Sequence, residues 1–184
     1  DLRRNVFFSE EYVIPANIKY TPLNKYLVNV SENFVFRTPE AYLNLAEACA
    51  CLDDETGARD ALNKLRENRF DRAVNQPVEA SGEELISIIR DERYRELCFE
   101  GHRWFDLRRY SVCKKYPFAK ILKHTYSTFA YNNVYVMVPI QSQVYELKPG
   151  DPAYVLPIPK EILDYDGMKD NLRNERSVLE VITY

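Results

Sequence analysis

From residue 88 the chain runs Ile88-Ile89-Arg90-Asp91-Glu92-Arg93-Tyr94-Arg95-Glu96-Leu97-Cys98-Phe99-Glu100-Gly101-His102-Arg103-Trp104-Phe105-Asp106-Leu107-Arg108-Arg109-Tyr110. Six arginines (Arg90, Arg93, Arg95, Arg103, Arg108, Arg109) stand among five carboxylates (Asp91, Glu92, Glu96, Glu100, Asp106), interleaved with Leu97, Phe99, Trp104, Phe105 and Leu107. A nucleic-acid arm would carry one sign of charge, whereas mixed signs at helical spacing let partners neutralise each other. Upstream, Ser81 followed three residues later by Glu84 has the form of a capping box that opens a helix. Leu85, Ile86, Ile89, Arg93 and Leu97 then share one face, Arg93 laying its aliphatic stem along the apolar stripe. The pattern predicts a helix closing at Gly101, where glycine takes the left-handed conformation without a Cβ clash. A second short helix follows over Arg103–Tyr110, with Trp104 and Phe105 turned inward. Asp91 and Glu92 reach Arg95 at i+4 and i+3, contacts worth about a few tenths of a kcal/mol when exposed. Arginines this dense beside aromatic rings imply partly buried guanidinium forks that pin helix to helix.

Outward from this stretch, Thr38-Pro39 marks a helix start, an N-cap followed by proline at the first helical position. Tyr42, Leu45, Ala46 and Cys49 recur at three and four, and Ala41, Ala48 and Ala50 permit close approach of a neighbour. Asp53-Asp54-Glu55-Thr56 makes a polar turn, and a second helix over Gly57–Arg69 gathers Ala58, Ala61, Leu62 and Leu65 on one face. Two such helices look like one tetratricopeptide-type unit, which needs neighbours to bury its faces. Asp1–Phe8 reads as the end of a helix or as an extended entry, and the stretch after it, to residue 36, as loop and short strand punctuated by Pro15 and Pro22, with Phe34-Val35-Phe36 as a pairing strand. Beyond Tyr110 the pattern is mixed. Asn132-Asn133 is a turn, Val134-Tyr135-Val136-Met137-Val138 a strand ended by Pro139, and Tyr154–Pro159 an extended edge before a short turn at Lys160–Leu163. The fold class expected is therefore mainly α, helical hairpins with an irregular C-terminal part carrying a few short strands.

The run Asp91-Glu92-Arg93 … Glu96-Leu97 … Phe99-Glu100-Gly101-His102-Arg103-Trp104-Phe105-Asp106-Leu107-Arg108-Arg109 resembles the C-terminal signature of the RagB/SusD family. Ala41–Ala48 with Leu62–Arg66, and Leu156-Pro157-Ile158-Pro159 near the end, resemble further parts of the same pattern in the same order. The tail departs from it, since Asp170–Asn174 is only a loose counterpart of the segment with which such chains finish. The resemblance implies that residues 1–184 are the C-terminal part of a SusD-like domain, helical over 37–110 and mixed over 111–184. It implies a structural role for Arg93, Glu96, Glu100, Gly101, Arg103, Trp104, Asp106 and Arg108. It further implies non-catalytic binding of an oligosaccharide or polysaccharide at the bacterial cell surface, beside a SusC-like TonB-dependent outer-membrane transporter. The membrane contact of that family runs through a lipid on an N-terminal cysteine, preceded by a signal, neither of which this stretch of chain carries.

Composition bounds these expectations. Hydrophobic content of 46% and charged content of 29% are ordinary for a globular domain, and a net charge of −3 gives no general attraction to nucleic acid or anionic lipid. Fourteen tyrosines and nine phenylalanines leave rings available for core, interface or sugar stacking. Cys49 and Cys51 lie two apart on a helix and point to different faces, so they do not bridge. One Cys-x-Cys with His102 and His124 lacks zinc-ligand spacing, so neither a metal nor a cofactor is expected.

Glu96 and Glu100 are four apart on one helix. A glycosidase pair is one reading, yet catalytic carboxylates converge from different elements across a cleft, so service to arginines such as Arg93 and Arg103 is favoured. His102 follows a glycine without an evident orienting partner and suits a cap. Trp104 is expected in the corner core, with Arg103 and Asp106 knitting it. Tyr126, Phe129, Tyr131 and Tyr135, in a loop-and-strand region, are the residues placed to stack on a pyranose. Set against glycan binding are a helical protein-interaction scaffold and, with less support, a carbohydrate-active enzyme.

Overall fold

A computed structural model describes residues 1–14, 18–21, 37–171, 173 and 175–184. The Phe34–Phe36 strand expected from sequence lies outside the described residues. The chain divides into two compact units, Asp1–Pro117 and Phe118–Tyr184.

The first unit begins with α1 (Arg3–Phe7) and a two-stranded antiparallel ribbon, β1 (Tyr12–Ile14) and β2 (Ile18–Tyr20). Four longer helices follow: α2 (Thr38–Cys51), α3 (Glu55–Arg66), α4 (Gly82–Glu96) and α5 (His102–Ser111). Leu43, Ala46 and Ala50 of α2, Ala58, Ala61, Leu62 and Leu65 of α3, and Leu85, Ile86 and Ile89 of α4, with Leu97, make one continuous core. The alanines let the backbones approach closely, while the leucines and isoleucines supply the apolar area whose removal from water drives the packing. The turn between α2 and α3 uses Asp53 at φ 65° and Asp54 as N-cap, whose Oδ1 accepts from Gly57 N at 2.9 Å. The connection from α3 to α4 is tied down by Asn63, which donates to Val78 O and accepts from Val78 N.

Three expectations are corrected here. Ser81 does stand at the N-cap of α4, but its side chain makes no cap bond; Glu55 Oε1 accepts from Gly82 N at 2.7 Å instead. The helix ends at Glu96, not Gly101. Phe99 and Gly101 both adopt positive φ, so the chain turns tightly over five residues and Gly101 becomes the N-cap of α5. Phe105 is 61% exposed, and it is Asp106, Leu107 and Tyr110 that α5 buries.

The second unit is a three-stranded antiparallel sheet in the order β3 (Leu122–Tyr131), β4 (Met137–Leu147), β5 (Glu180–Thr183). Ser127 and Ser142 face each other across β3 and β4, their hydroxyls 2.7 Å apart, and Ser142 also donates to Tyr184 Oη. The strand read as ending at Pro139 instead starts at Met137 and runs through it. Pro139 sits opposite Phe129 at a register shift, the kind of irregularity at which a strand accommodates a residue without an N–H. After a 3₁₀ turn (Pro152–Tyr154) the Leu156–Pro159 stretch is extended and leads into α6 (Lys160–Asp166). Asp170 Oδ1 accepts from Ile158 N, Asn171 Nδ2 donates to Leu156 O and Arg173 donates to Val155 O, so the tail straps this stretch. No helix among the described residues is long and apolar enough to cross a membrane.

Candidate functional site

The charged face of α4 is an ion-pair network rather than a row of separate pairs. Glu96, 1% exposed, accepts from Arg69 Nε at 2.8 Å and Arg69 Nη2 at 3.0 Å, from Arg3 Nη1 at 3.1 Å and from Arg37 Nη1 at 3.4 Å. Burial alone pushes its carboxyl up, but the hydrogen bond and charge of Arg69, then the charges of Arg3 and Arg37, outweigh it and hold the carboxyl below its ordinary value. Arg37 also grips Glu100 through Nε at 3.1 Å and Nη2 at 2.7 Å, and caps the Glu96 carbonyl. Fully buried Glu92 pairs with Arg3, Arg66 and Arg95. Glu96 and Glu100 therefore do serve arginines, but not Arg93 and Arg103. Their partners come from α1, from the residue before α2 and from just beyond α3.

A second knot joins α2, α4 and α5. Arg93 Nε donates to both oxygens of Asp106, at 3.0 and 2.8 Å, and its Nη1 to Asn44 Oδ1 at 2.8 Å. Arg109 donates to Asp106 Oδ1 at 2.9 Å and bidentately to Glu47 at 2.6 and 2.7 Å. The guanidinium groups of Arg90 and Arg109 both lie over the Tyr110 ring, at 4.2 and 4.4 Å from its centroid. Burial, then Glu47 and Asp106, push the Tyr110 hydroxyl up to about 12. Arg103 takes no part in this knot and stacks on Tyr94 at 4.4 Å. Trp104 is half-buried and the Arg108 side chain is exposed. His102 Nδ1 lies 3.8 Å from Glu40 Oε1, the partner that sequence reasoning missed because it arrives from α2.

The rings singled out for stacking are on the hairpin of the second unit. Tyr126, Phe129, Tyr131 and Tyr135 are all exposed, Tyr135 most of all at 88%. Alternation along β3 places Phe129 and Tyr131 on one face, opposite Pro139 and Met137, and Tyr126 on the other, opposite Gln143. Tyr135 sits in the connecting turn at φ 56°, where Asn132 Oδ1 accepts from both Val134 N and Val136 N. The four rings therefore do not form one platform. Phe129 and Tyr131 make a strip with Met137, which is also exposed, and the turn carries Tyr135 beyond its end.

No curated protein matches the chain. Among solved structures, a SusD-like protein of Bacteroides fragilis NCTC 9343 is similar at 24% identity with a TM-score of 0.46, over 88% of this chain. The chain spans 27% of that protein's length. The SusD family model matches residues 7–174, nearly the whole of the sequence, including helices α2 to α5, and the chain belongs to that family.

Proposed function

We propose that this chain is part of a non-catalytic glycan-binding protein of the bacterial cell surface, one that hands an oligosaccharide to a SusC-like TonB-dependent transporter in the outer membrane. Family membership over residues 7–174 is the observation that carries this reading. Residues 1–184 then correspond to the C-terminal part of a SusD-like domain, in a protein that a lipid holds to the outer membrane. Ligand recognition rests on aromatic stacking and on hydrogen bonds to sugar hydroxyls, with no bond broken. The engagement of Glu96 and Glu100 by arginines supports a scaffold role for both. Phe129, Tyr131 and Tyr135 are the first candidates for sugar contact within this chain, with Tyr126 on the opposite sheet face.

The reading is tested by native electrophoresis through gels containing a panel of polysaccharides, with reducing-sugar release assayed in parallel. The expected result is retardation by at least one polysaccharide without sugar release. Folded protein that no polysaccharide retards would overturn it in favour of a helical protein-interaction scaffold. Sugar release abolished by Glu96→Gln or Glu100→Gln would establish an enzyme instead.

A further inference from the structure

Cys51 is the last residue of α2 and Cys113 lies two residues past the end of α5. Both are free and partly exposed. They line one cavity of about 360 Å³ together with Asn44, Glu47, Ala48 and Arg109. The approach of the two segments is enforced by their neighbours. Lys115 Nζ donates to Ala50 O at 3.3 Å, to Cys51 O at 3.1 Å and to Asp53 Oδ1 at 2.6 Å, while Cys113 N donates to Tyr110 O at 3.2 Å.

Arg90 supplies a second, independent observation. It is 7% exposed, its Nε and Nη2 lack a partner in hydrogen-bond geometry, and Glu47 Oε1 stands 3.9 Å from Nε. A buried guanidinium with idle donors favours whatever anion forms beside it.

We propose that Cys51 and Cys113 are a redox-active dithiol, with Cys113 as the attacking thiol and Cys51 as the resolving thiol, closing into a disulfide on contact with a small-molecule disulfide. The two sulfurs differ in the direction their surroundings impose. The backbone N–H groups of Tyr116 and Lys115, with Arg90, hold the Cys113 thiol below its ordinary range against the opposing effect of burial. Burial, then Cys113 and Glu47, push the Cys51 thiol up. The thiolate is the nucleophile, so Cys113 attacks first. With oxidised glutathione, the Cys113 thiolate attacks one sulfur, the glutathione S–S bond breaks and one glutathione leaves as thiolate. Cys51 then loses its proton to solvent and attacks the Cys113 sulfur, releasing the second glutathione. The protein loses two electrons and two protons, and the oxidant is reduced to two thiols. Cys49 does not share this setting, since its thiol is pushed up by burial and then by Asp54. The pair lies within the first unit and does not depend on the glycan reading.

The test treats the native chain with oxidised glutathione, blocks residual thiols with iodoacetamide and maps non-reduced peptides by mass spectrometry. The expected product is a peptide joining Cys51 to Cys113, with Cys49 and Cys98 alkylated; oxidation in denaturant should scatter the pairing among all four. In Cys51→Ser protein a glutathione adduct should accumulate at Cys113 several-fold faster than at Cys49. Recovery of native Cys51 and Cys113 as alkylated thiols, or cross-linking no more selective than in denaturant, would overturn the proposal. An adduct at Cys113 in Cys51→Ser that forms no faster than at Cys49 would overturn the assignment of the attacking thiol.

Discussion

Arg93 Nε stands 2.8 Å from Asp106 Oδ2 and 3.0 Å from Oδ1, with both side chains almost closed to solvent, and this ion pair ties α4 to α5. Because Arg93 also donates to Asn44 on α2, the guanidinium fixes three helices at a point. Around it the arginines are satisfied by carboxylates brought from elsewhere in the chain, so the corner is specified by geometry as much as by burial.

Removing one partner of this pair strands a buried charge. Asp106→Ala is expected to cost about 3–5 kcal/mol in urea unfolding, because Arg93 loses its main counter-ion without regaining water. Replacing both, as Arg93→Met with Asp106→Leu, should cost clearly less than the sum of the single changes. Additive losses in that double-mutant cycle would show that the two groups act independently.

Glu96 gives the acid limb of stability. Its folded carboxyl is held below the ordinary value of 4.5, so its contribution is fully present above that value and is lost as the pH falls through the lower, folded one. Glu96→Gln is therefore expected to be markedly less stable at neutral pH and to show a flatter decline on acidification than the parent chain. Denaturant midpoints followed from neutral into acid check both; parallel curves would deny Glu96 this role.

Helices α2 to α5 and the existence of a charged corner were legible, because apolar spacing and dense arginine–carboxylate patterning are local signals, but the face of α2 was misplaced: Leu45, grouped with Ala46, is 52% exposed, and Leu43 is buried in its stead. The identity of the partners was not. Arg3 and Arg37 reach Glu96 across 93 and 59 residues of chain, and spacing arguments on one helix see only i+3 and i+4 neighbours. The same blindness sent Phe105 inward, since a ring beside a tryptophan reads as core until the helix start at His102 fixes which side of α5 it occupies. Strand β3 escaped because Lys123-His124-Thr125-Tyr126-Ser127-Thr128 is polar or amphipathic on both faces, leaving no alternation to detect.

Two glycines separate conformational from steric demand. A Cβ at Gly101 would meet nothing within 4 Å, yet φ is +79°, so Gly101→Ala should cost about 1–2 kcal/mol through backbone strain alone, and Gly101→Asn less. At Gly57 the backbone is ordinary, but a Cβ would strike the Asp54 carboxylate that caps α3. Gly57→Ala should cost about 0.5–2 kcal/mol, the value of the lost cap. In Asp54→Ala protein, where nothing remains to strike, the same change should become nearly neutral. Thermal unfolding of these five variants distinguishes the origins, and a Gly57→Ala penalty that persists without Asp54 would refute the collision.

The hairpin predicts an asymmetry in binding that a generic sticky surface would not produce. Phe129 and Tyr131 share a sheet face while Tyr126 points from the other, and all three are exposed, so their removal should leave unfolding almost unchanged. For a polysaccharide that retards the parent chain, Tyr131→Ala and Phe129→Ala should each weaken binding by about 1 kcal/mol, roughly fivefold, the scale of one lost ring contact. Tyr126→Ala should leave retardation near that of the parent. The Phe129→Ala and Tyr131→Ala losses should also combine less than additively, because a sugar face spanning both rings loses much of its seat with the first. Equal effects at Tyr126 and Tyr131 would remove the hairpin face as the site and move the search to other parts of the protein.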